Sequence, residues 1–292
     1  RSRDWSWETI ETLGLPKHIF GKIVMPGSVR GRLRPEIAAE TGLGEIQVIA
    51  VGSHDTASAV AAIPAVSEEE PVTFLSSGTW SLLGVELPEP VLTKEALAAE
   101  FTNEGAVGGG IRFLQNITGL WILQRLMAQW KEGGEEQNFE TLLPAAQEAQ
   151  ISSLIPVADP AFTNPPSMES AITDYCLKSE QPVPQTKAQM TRCVLQSLAA
   201  KYREAIQGLT SVLHHRPTRL HIIGGGSQNA LLNQLTADAL EIPVWAGPVE
   251  ATAMGNILVQ AMASGEVADL AALREVVRSS VNPQIFNPKT VK

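Results

Sequence analysis

Cysteine, basic charge and long apolar runs are all scarce in this sequence. Only Cys176 and Cys193 occur in 292 residues. Two cysteines are too few for a disulfide framework, and no CxxC or Cys/His cluster has the spacing of a metal site. Lysine and arginine number 22 against 31 acidic residues, for a net charge of −9. That balance argues against a nucleic-acid or anionic-membrane surface, whose footprint is a basic patch. No apolar run approaches the roughly 20 residues that span a bilayer. No GK[ST] occurs, so a P-loop is absent from the sequence. What is present is a hydrophobic fraction of 44%, with 23 glycines and 19 prolines. This predicts a packed globular chain of one or two domains, with the cytoplasm as its expected location. The first residue is Arg1, and RSRDWSWETI resembles no signal or transit peptide. The chain is therefore expected to be part of a longer polypeptide.

Along the chain, WSWETIETLGL (5–15) reads as a short helix, and 22–37 as loop with short extended pieces. IQVIAV (46–51) has the signal of a buried strand, and the small residues of TASAVAAI (56–63) suit a tightly packed helix. Glu68-Glu69-Glu70-Pro71 marks a boundary or hinge. VTFL (72–75) and WSLLGVEL (80–87) predict a hairpin, and Phe101 with IRFLQN (111–116) a second one turning through Gly108-Gly109-Gly110. A helix is expected over 119–131, then proline-rich loop over 151–185. Thr186 with Gln189 forms a capping-box pattern. The i, i+4 stripe from Met190 through Val194, Leu198, Tyr202 and Ile206 then predicts a long helix facing a core. Strand (220–223), helix (227–240), strand (242–246) and helix (251–264) complete an α/β order with a mixed sheet.

Three turns could carry chemistry. Gly224-Gly225-Gly226 follows an apolar strand, lets a ligand approach bare backbone, and has Ser227 or Asn229 to cap the next helix. It is not a GxGxxG dinucleotide fingerprint, because Asn229 stands at the third glycine position. Ser76-Ser77-Gly78-Thr79 offers hydroxyls and amides able to cradle phosphate oxygens without lysine, and equally suits a plain turn. Gly52-Ser53-His54-Asp55-Thr56 lies where a strand hands over to a helix, so Asp55 is either a general base or an N-cap. Consecutive residues cannot converge into a Ser-His-Asp relay, which disfavours a hydrolase. His214, His215 and His221 read as structural. Asn103-Glu104 and Asn116, beside the second hairpin, are polyol contacts or turn formers.

The order of these segments is more specific than any one of them. GSHDTASAV, FLSSGTWSLLG, TNEG…LQNITGLWILQRL, LHIIGGGSQNALLNQLTADAL and GPVEATAMGNI together resemble the FGGY carbohydrate kinases over nearly the whole chain. The resemblance implies an actin-like ATPase fold of the ribonuclease H-like type: α/β with a mixed sheet, preceded by the tail of a first such domain. Residues 1–62 would be the end of a sugar-binding domain that is mostly missing, and 63–292 the nucleotide-binding domain. It also implies transfer of the ATP γ-phosphoryl group to a ketose hydroxyl, L-rhamnulose in the nearest subgroup, with Mg²⁺ as cofactor. By position, Asp55 matches the catalytic base, with His54 and Thr56 beside it at the sugar and Asn116 a further sugar contact. Thr79 matches the hydroxyl at the phosphates, Gln124 a nucleotide contact, Gly225 the adenosine turn and Asn229 the adenine side. The Asp-x-Gly-Thr phosphate loop of the family's first domain does not occur here. The metal ligands therefore stay unassigned, and the chain alone is expected to bind nucleotide weakly without efficient turnover. The alternatives are a kinase for another ketose or polyol, and a non-catalytic actin-like nucleotide-binding module.

Overall fold

The computed structural model describes residues 3–65 and 71–289. Glu68, Glu69 and Glu70 of the expected hinge lie outside the described residues. The chain opens with helix α1 (Trp7–Thr12), strand β1 (Val29–Arg32), helix α2 (Pro35–Thr41) and strand β2 (Gln47–Ile49). Pro35 at the first turn starts α2 and left-handed Gly42 ends it, so part of the segment expected as loop is helical. β2 pairs antiparallel with β1 alone. Val29, Ile46 and Val48 stay exposed, and the strand expected to be buried is therefore a surface strand. Its apolar sequence is real, but no layer among the described residues packs on it.

A seven-stranded mixed sheet follows. Helix α3 (Asp55–Ala61) leads into the hairpin β3 (Thr73–Ser77) and β4 (Trp80–Leu87). Helix α4 (Lys94–Ala98) precedes β5 (Thr102–Gly105), which turns through the glycines to β6 (Ile111–Thr118). Helices α5 (Trp121–Glu132), α6 (Phe139–Glu148), α7 (Met168–Lys178) and α8 (Lys187–Leu213) come next. Then follow β7 (Leu220–Ile223), α9 (Ala230–Leu240), β8 (Val244–Ala246), α10 (Ala251–Ala263), α11 (Leu270–Ser280) and β9 (Gln284–Phe286). The strand order is β5-β6-β4-β3-β7-β8-β9, with β3, β7 and β8 mutually parallel. The expected hairpins and alternating elements thus assemble into the expected mixed sheet.

Residues alternating along each strand feed two cores. Leu75, Leu83, Phe113 and Ile222 face α5 to α9, and Phe74, Leu82, Leu114 and Ile223 face α3, α10 and α11. On the first face α8 buries its stripe, and its Tyr202 hydroxyl meets Ser81 Oγ at 2.7 Å. Burial pushes the Tyr202 phenol up to about 12. The Thr186 hydroxyl accepts from Gln189 N, while the Gln189 side chain accepts from Gln185 N, one residue before the box position. The 151–185 stretch departs from the loop expectation, because Ser167 caps α7 and Met168, Ile172 and Cys176 form a buried i, i+4 stripe. Its prolines flank that helix rather than interrupt it.

On the second face, small residues bring backbones together. A Cβ on Gly255 of α10 would lie 2.6 Å from the Ser58 carbonyl carbon, so only glycine lets α10 and α3 approach this closely. Arg274 of α11 bonds Glu86 on β4 and donates to the Val60 carbonyl at 3.3 Å. Burial raises the Glu86 carboxyl despite that guanidinium. His221 in β7 is 3% exposed and packs edge-on against Trp245, with ring centroids 5.8 Å apart. Burial, aided by Arg219 and Arg274, lowers its pKa to about 4.

The depressed His221 value sets the sign of a pH effect. Between the unfolded value of 6.5 and about 4, the unfolded chain binds more protons than the folded one. Stability contributed at pH 7 should therefore fall as pH drops through that window, by up to about 3 kcal/mol. Urea unfolding at pH 7 and pH 4.5 should show a smaller loss in His221→Leu than in wild type. An identical loss in both would refute the assignment.

Candidate active site

The carboxyl ends of the parallel strands β3 and β7 open onto a cleft of about 660 Å³. This is where an open sheet offers ligands its strand-to-helix turns. Three turns meet there: His54-Asp55-Thr56 at the start of α3, Ser76 to Trp80 between β3 and β4, and Gly224 after β7. Leu82 and Asn116, cross-strand partners on β4 and β6, form a wall, and Thr252 of α10 closes one side. Among the described residues, the cleft lining has hydroxyls, amides and one carboxylate, with no lysine or arginine.

Each turn is held by its own local chemistry. Gly224 has φ +84°, the left-handed region that favours glycine, and its N–H bonds the Pro248 carbonyl at 3.2 Å. A Cβ on Gly226 would lie 2.6 Å from Ser77 Cβ, so the glycine turn presses on the hydroxyl turn. A Cβ on Gly225 would meet nothing within 4 Å, leaving that backbone open. The carbonyls of Gly78 and Thr79 accept from Leu120 N at 3.0 Å and Trp121 N at 3.2 Å, pinning the hydroxyl turn to the start of α5.

Asp55 is the most exposed ionisable group of the site, at 74% of its side chain. Its Oδ1 accepts from Thr56 N at 2.7 Å and lies 3.2 Å from His54 Nε2. The Thr252 hydroxyl reaches the Asp55 carbonyl at 3.5 Å. Behind them stand Glu104 and a buried Arg112, whose guanidinium pKa is lowered by burial and supported by Glu104. Among the described residues, no group of three or more His, Cys, Asp or Glu outlines a metal site.

The structure brings His54, Asp55, Thr56, Thr79 and Asn116 to one cleft. Gly225 is exposed and lies one residue beyond Gly224 at the rim. Gln124 stands exposed on α5, outside the lining, and Asn229 is buried where its side chain caps α9 through Leu232 N at 3.0 Å. The Asn229 Nδ2 has no hydrogen-bond partner among the described residues. Asn103 is a structural clamp, since its side-chain amide bonds both the N–H and the carbonyl of Val91. Sequence reasoning missed Trp80, Leu82 and Thr252. Period-two alternation from Asn116 across the β4–β6 pair would have found the first two, whereas Thr252 carries no local signal.

The C-terminal domain of the FGGY family of carbohydrate kinases matches residues 73–264. Among curated proteins, the rhamnulokinase of Bacteroides thetaiotaomicron is 46% identical over 282 residues, covering 97% of this chain and 57% of that protein. The rhamnulokinase of Bacillus subtilis is 38% identical over 285 residues, with coverages of 97% and 58%. The chain thus spans a little over half the length of these relatives. Two solved structures share the fold. Gluconate kinase from Lactobacillus acidophilus has a TM-score of 0.72 at 16% identity, covering 98% of this chain and 56% of that one. Plasmodium falciparum glycerol kinase with ADP has a TM-score of 0.73 at 13% identity, with coverages of 99% and 56%. The actin-like ATPase architecture expected from the sequence is therefore the one observed.

The glycine turn makes a direct test of this geometry. Gly226→Ala should lose about 1–3 kcal/mol, because its Cβ forces the turn off Ser77. Gly225→Ala, facing open space, should stay within about 0.5 kcal/mol of wild type. Chemical unfolding of both variants measures the contrast, and equal losses would show that the two glycines are not differently placed.

Proposed function

Because the chain belongs to the FGGY family of carbohydrate kinases, we propose that it supplies the catalytic base and the nucleotide-binding domain of an ATP-dependent sugar kinase. The acceptor is a ketose hydroxyl, L-rhamnulose giving L-rhamnulose 1-phosphate, as the names of its 46% and 38% identical relatives suggest. The observation that carries this reading is the cleft itself. A carboxylate shares one cleft with hydroxyl and glycine turns and with the polar Asn116.

The chemistry follows from those parts. The sugar hydroxyl oxygen attacks the γ-phosphorus, the bond to the β-phosphate oxygen breaks, and the hydroxyl proton passes to Asp55. Phosphoryl transfer has a loose transition state, so most of the acceleration comes from positioning and charge stabilisation. His54, Thr56 and Asn116 hold the sugar; Thr79 and the amides of its turn hold phosphate oxygens; the open backbone at Gly225 receives the nucleoside. Gln124 and Asn229 extend the nucleotide side. Mg²⁺ bound with the nucleotide would neutralise phosphate charge, a task for which the cleft lining, among the described residues, offers hydroxyls rather than lysine or arginine.

In this reading residues 1–62 close a sugar-binding domain and 63–292 form the nucleotide-binding domain. Leu13, Ile19, Ile23, Val29, Leu43 and Val48, all exposed apolar residues of the first 50, support a further domain packing on that surface. The 292-residue chain alone should bind ADP weakly and release it from ATP far more slowly than the full-length kinase, whose setting is the cytoplasm.

Asp55→Asn in the full-length protein tests the assignment. With L-rhamnulose and ATP, kcat should fall about 10²–10⁴-fold while ADP affinity by calorimetry is unchanged. Unchanged kcat would remove Asp55 as the base. A wild type that binds ADP without phosphorylating any sugar of a ketose and polyol panel would mark a nucleotide-binding module instead, and a better substrate elsewhere in the panel would replace L-rhamnulose.

A further inference from the structure

Glu104 does not line the cleft, yet it touches the site through His54. Glu104 Oε2 lies 3.2 Å from His54 Nδ1, and His54 Nε2 lies 3.2 Å from Asp55 Oδ1. The same Glu104 oxygen takes Arg112 Nη2 at 2.9 Å, and Arg112 Nε donates to the Gly105 carbonyl at 3.1 Å. Glu104 and Arg112 are directly opposed on β5 and β6, so the sheet register fixes both. Arg112 is only 2% exposed. Burying a guanidinium costs several kcal/mol of desolvation, and an apolar cross-strand pair would hold the two strands as well. The charge therefore has an effect other than holding the sheet: it anchors the same carboxylate oxygen that faces the imidazole beside Asp55.

The His54 side chain is 48% exposed and would otherwise sample several rotamers. A carboxylate at each ring nitrogen fixes its plane. Asp55 Oδ1 then receives the imidazole as well as Thr56 N, which turns the Asp55 carboxylate to one orientation. We infer that Glu104, clamped by Arg112, is a positioning residue for phosphoryl transfer, acting only through His54 to aim the Asp55 carboxylate at the sugar hydroxyl. This rests on the kinase reading above. Glu104 itself touches no substrate, and the order Arg112, Glu104, His54, Asp55 runs from the buried sheet to the open cleft.

A double-mutant cycle on the full-length protein tests it. Glu104→Ala should lower kcat with L-rhamnulose about tenfold, the size of one lost charge-assisted hydrogen bond, with KM for ATP unchanged. His54→Gln should lower kcat at least as much. Because Glu104 acts only through His54, the double variant should be no slower than His54→Gln alone. Glu104→Gln, which keeps a side-chain oxygen at Nδ1, should restore most of the rate. Multiplying losses in the double variant would overturn the inference, as would a KM for ATP that rises in step with the fall in kcat. A second measurement is independent of turnover and of the alanine variant folding: the ¹⁵N resonances of the His54 ring, assigned by their loss in His54→Gln, should move in Glu104→Gln. Unmoved ring resonances would overturn the contact. A wild type without sugar-dependent ADP formation would overturn the kinase reading and the role with it, while moving ring resonances would leave the contact standing.

Discussion

Everything at the cleft depends on how closely α3 can lie against α10. Asp55 is the first residue of α3, a helix of only seven residues, too short to be stable on its own. Its position comes from packing: Thr56 to Ala61 are all buried, and Gly255 brings the α10 backbone against Ser58. The Ser58 hydroxyl also bonds back to the Gly52 carbonyl at 3.0 Å, closing the turn that presents His54 and Asp55. Small side chains leave little rotamer freedom, so this contact transmits the position of the sheet almost rigidly to the α3 backbone. The start of a short helix is thereby fixed, while the Asp55 carboxylate takes its orientation from its own bonds.

The same logic explains which parts of the fold were legible. The α8 stripe and the β3–β4 hairpin have strong periods, and both elements form where the pattern puts them. α7 was obscured because the proline-rich surroundings outweighed a three-residue stripe, Met168, Ile172 and Cys176, that only tertiary packing confirms. The apolar, β-branched run 46–51 reads as a buried strand, whereas strand β2 within it is largely exposed. Composition records that a surface is apolar and says nothing about what covers it. At the site, Asp55, Thr79 and Asn116 were legible through the order of motifs, since each taken alone fits a cap or a turn. Arg112 was not, because a single arginine in an apolar strand pattern carries no sign that it faces a carboxylate 2.9 Å away.

Charge distribution gives the cleft its chemical character. The chain is acidic overall, at −9, and among the described residues its cleft lining has no lysine or arginine. A polyphosphate cannot be drawn there by long-range attraction to this chain. In the kinase reading proposed above, it would be held by short-range donors, the amides and hydroxyls of the Ser76–Thr79 and Gly224–Gly226 turns, together with whatever cation it brings. Such donors are directional, so they select geometry as well as charge.

The buried Arg112 cation sits instead outside the cleft lining, one carboxylate behind His54. In the kinase reading proposed above, it would there orient neighbouring groups rather than contact phosphate. Placing the arginine behind Glu104 rather than in the cleft separates two tasks that a single cleft arginine would combine, holding phosphate and ordering the acceptor end. A guanidinium in the lining would also lie within reach of Asp55, and an ion pair there would occupy the oxygens that receive the hydroxyl proton in the proposed reaction. With Glu104 interposed, the cation pairs with a carboxylate outside the cleft lining. The side-chain bonds on Asp55 among the described residues fall on Oδ1, which leaves Oδ2 open to the hydroxyl in the proposed reaction.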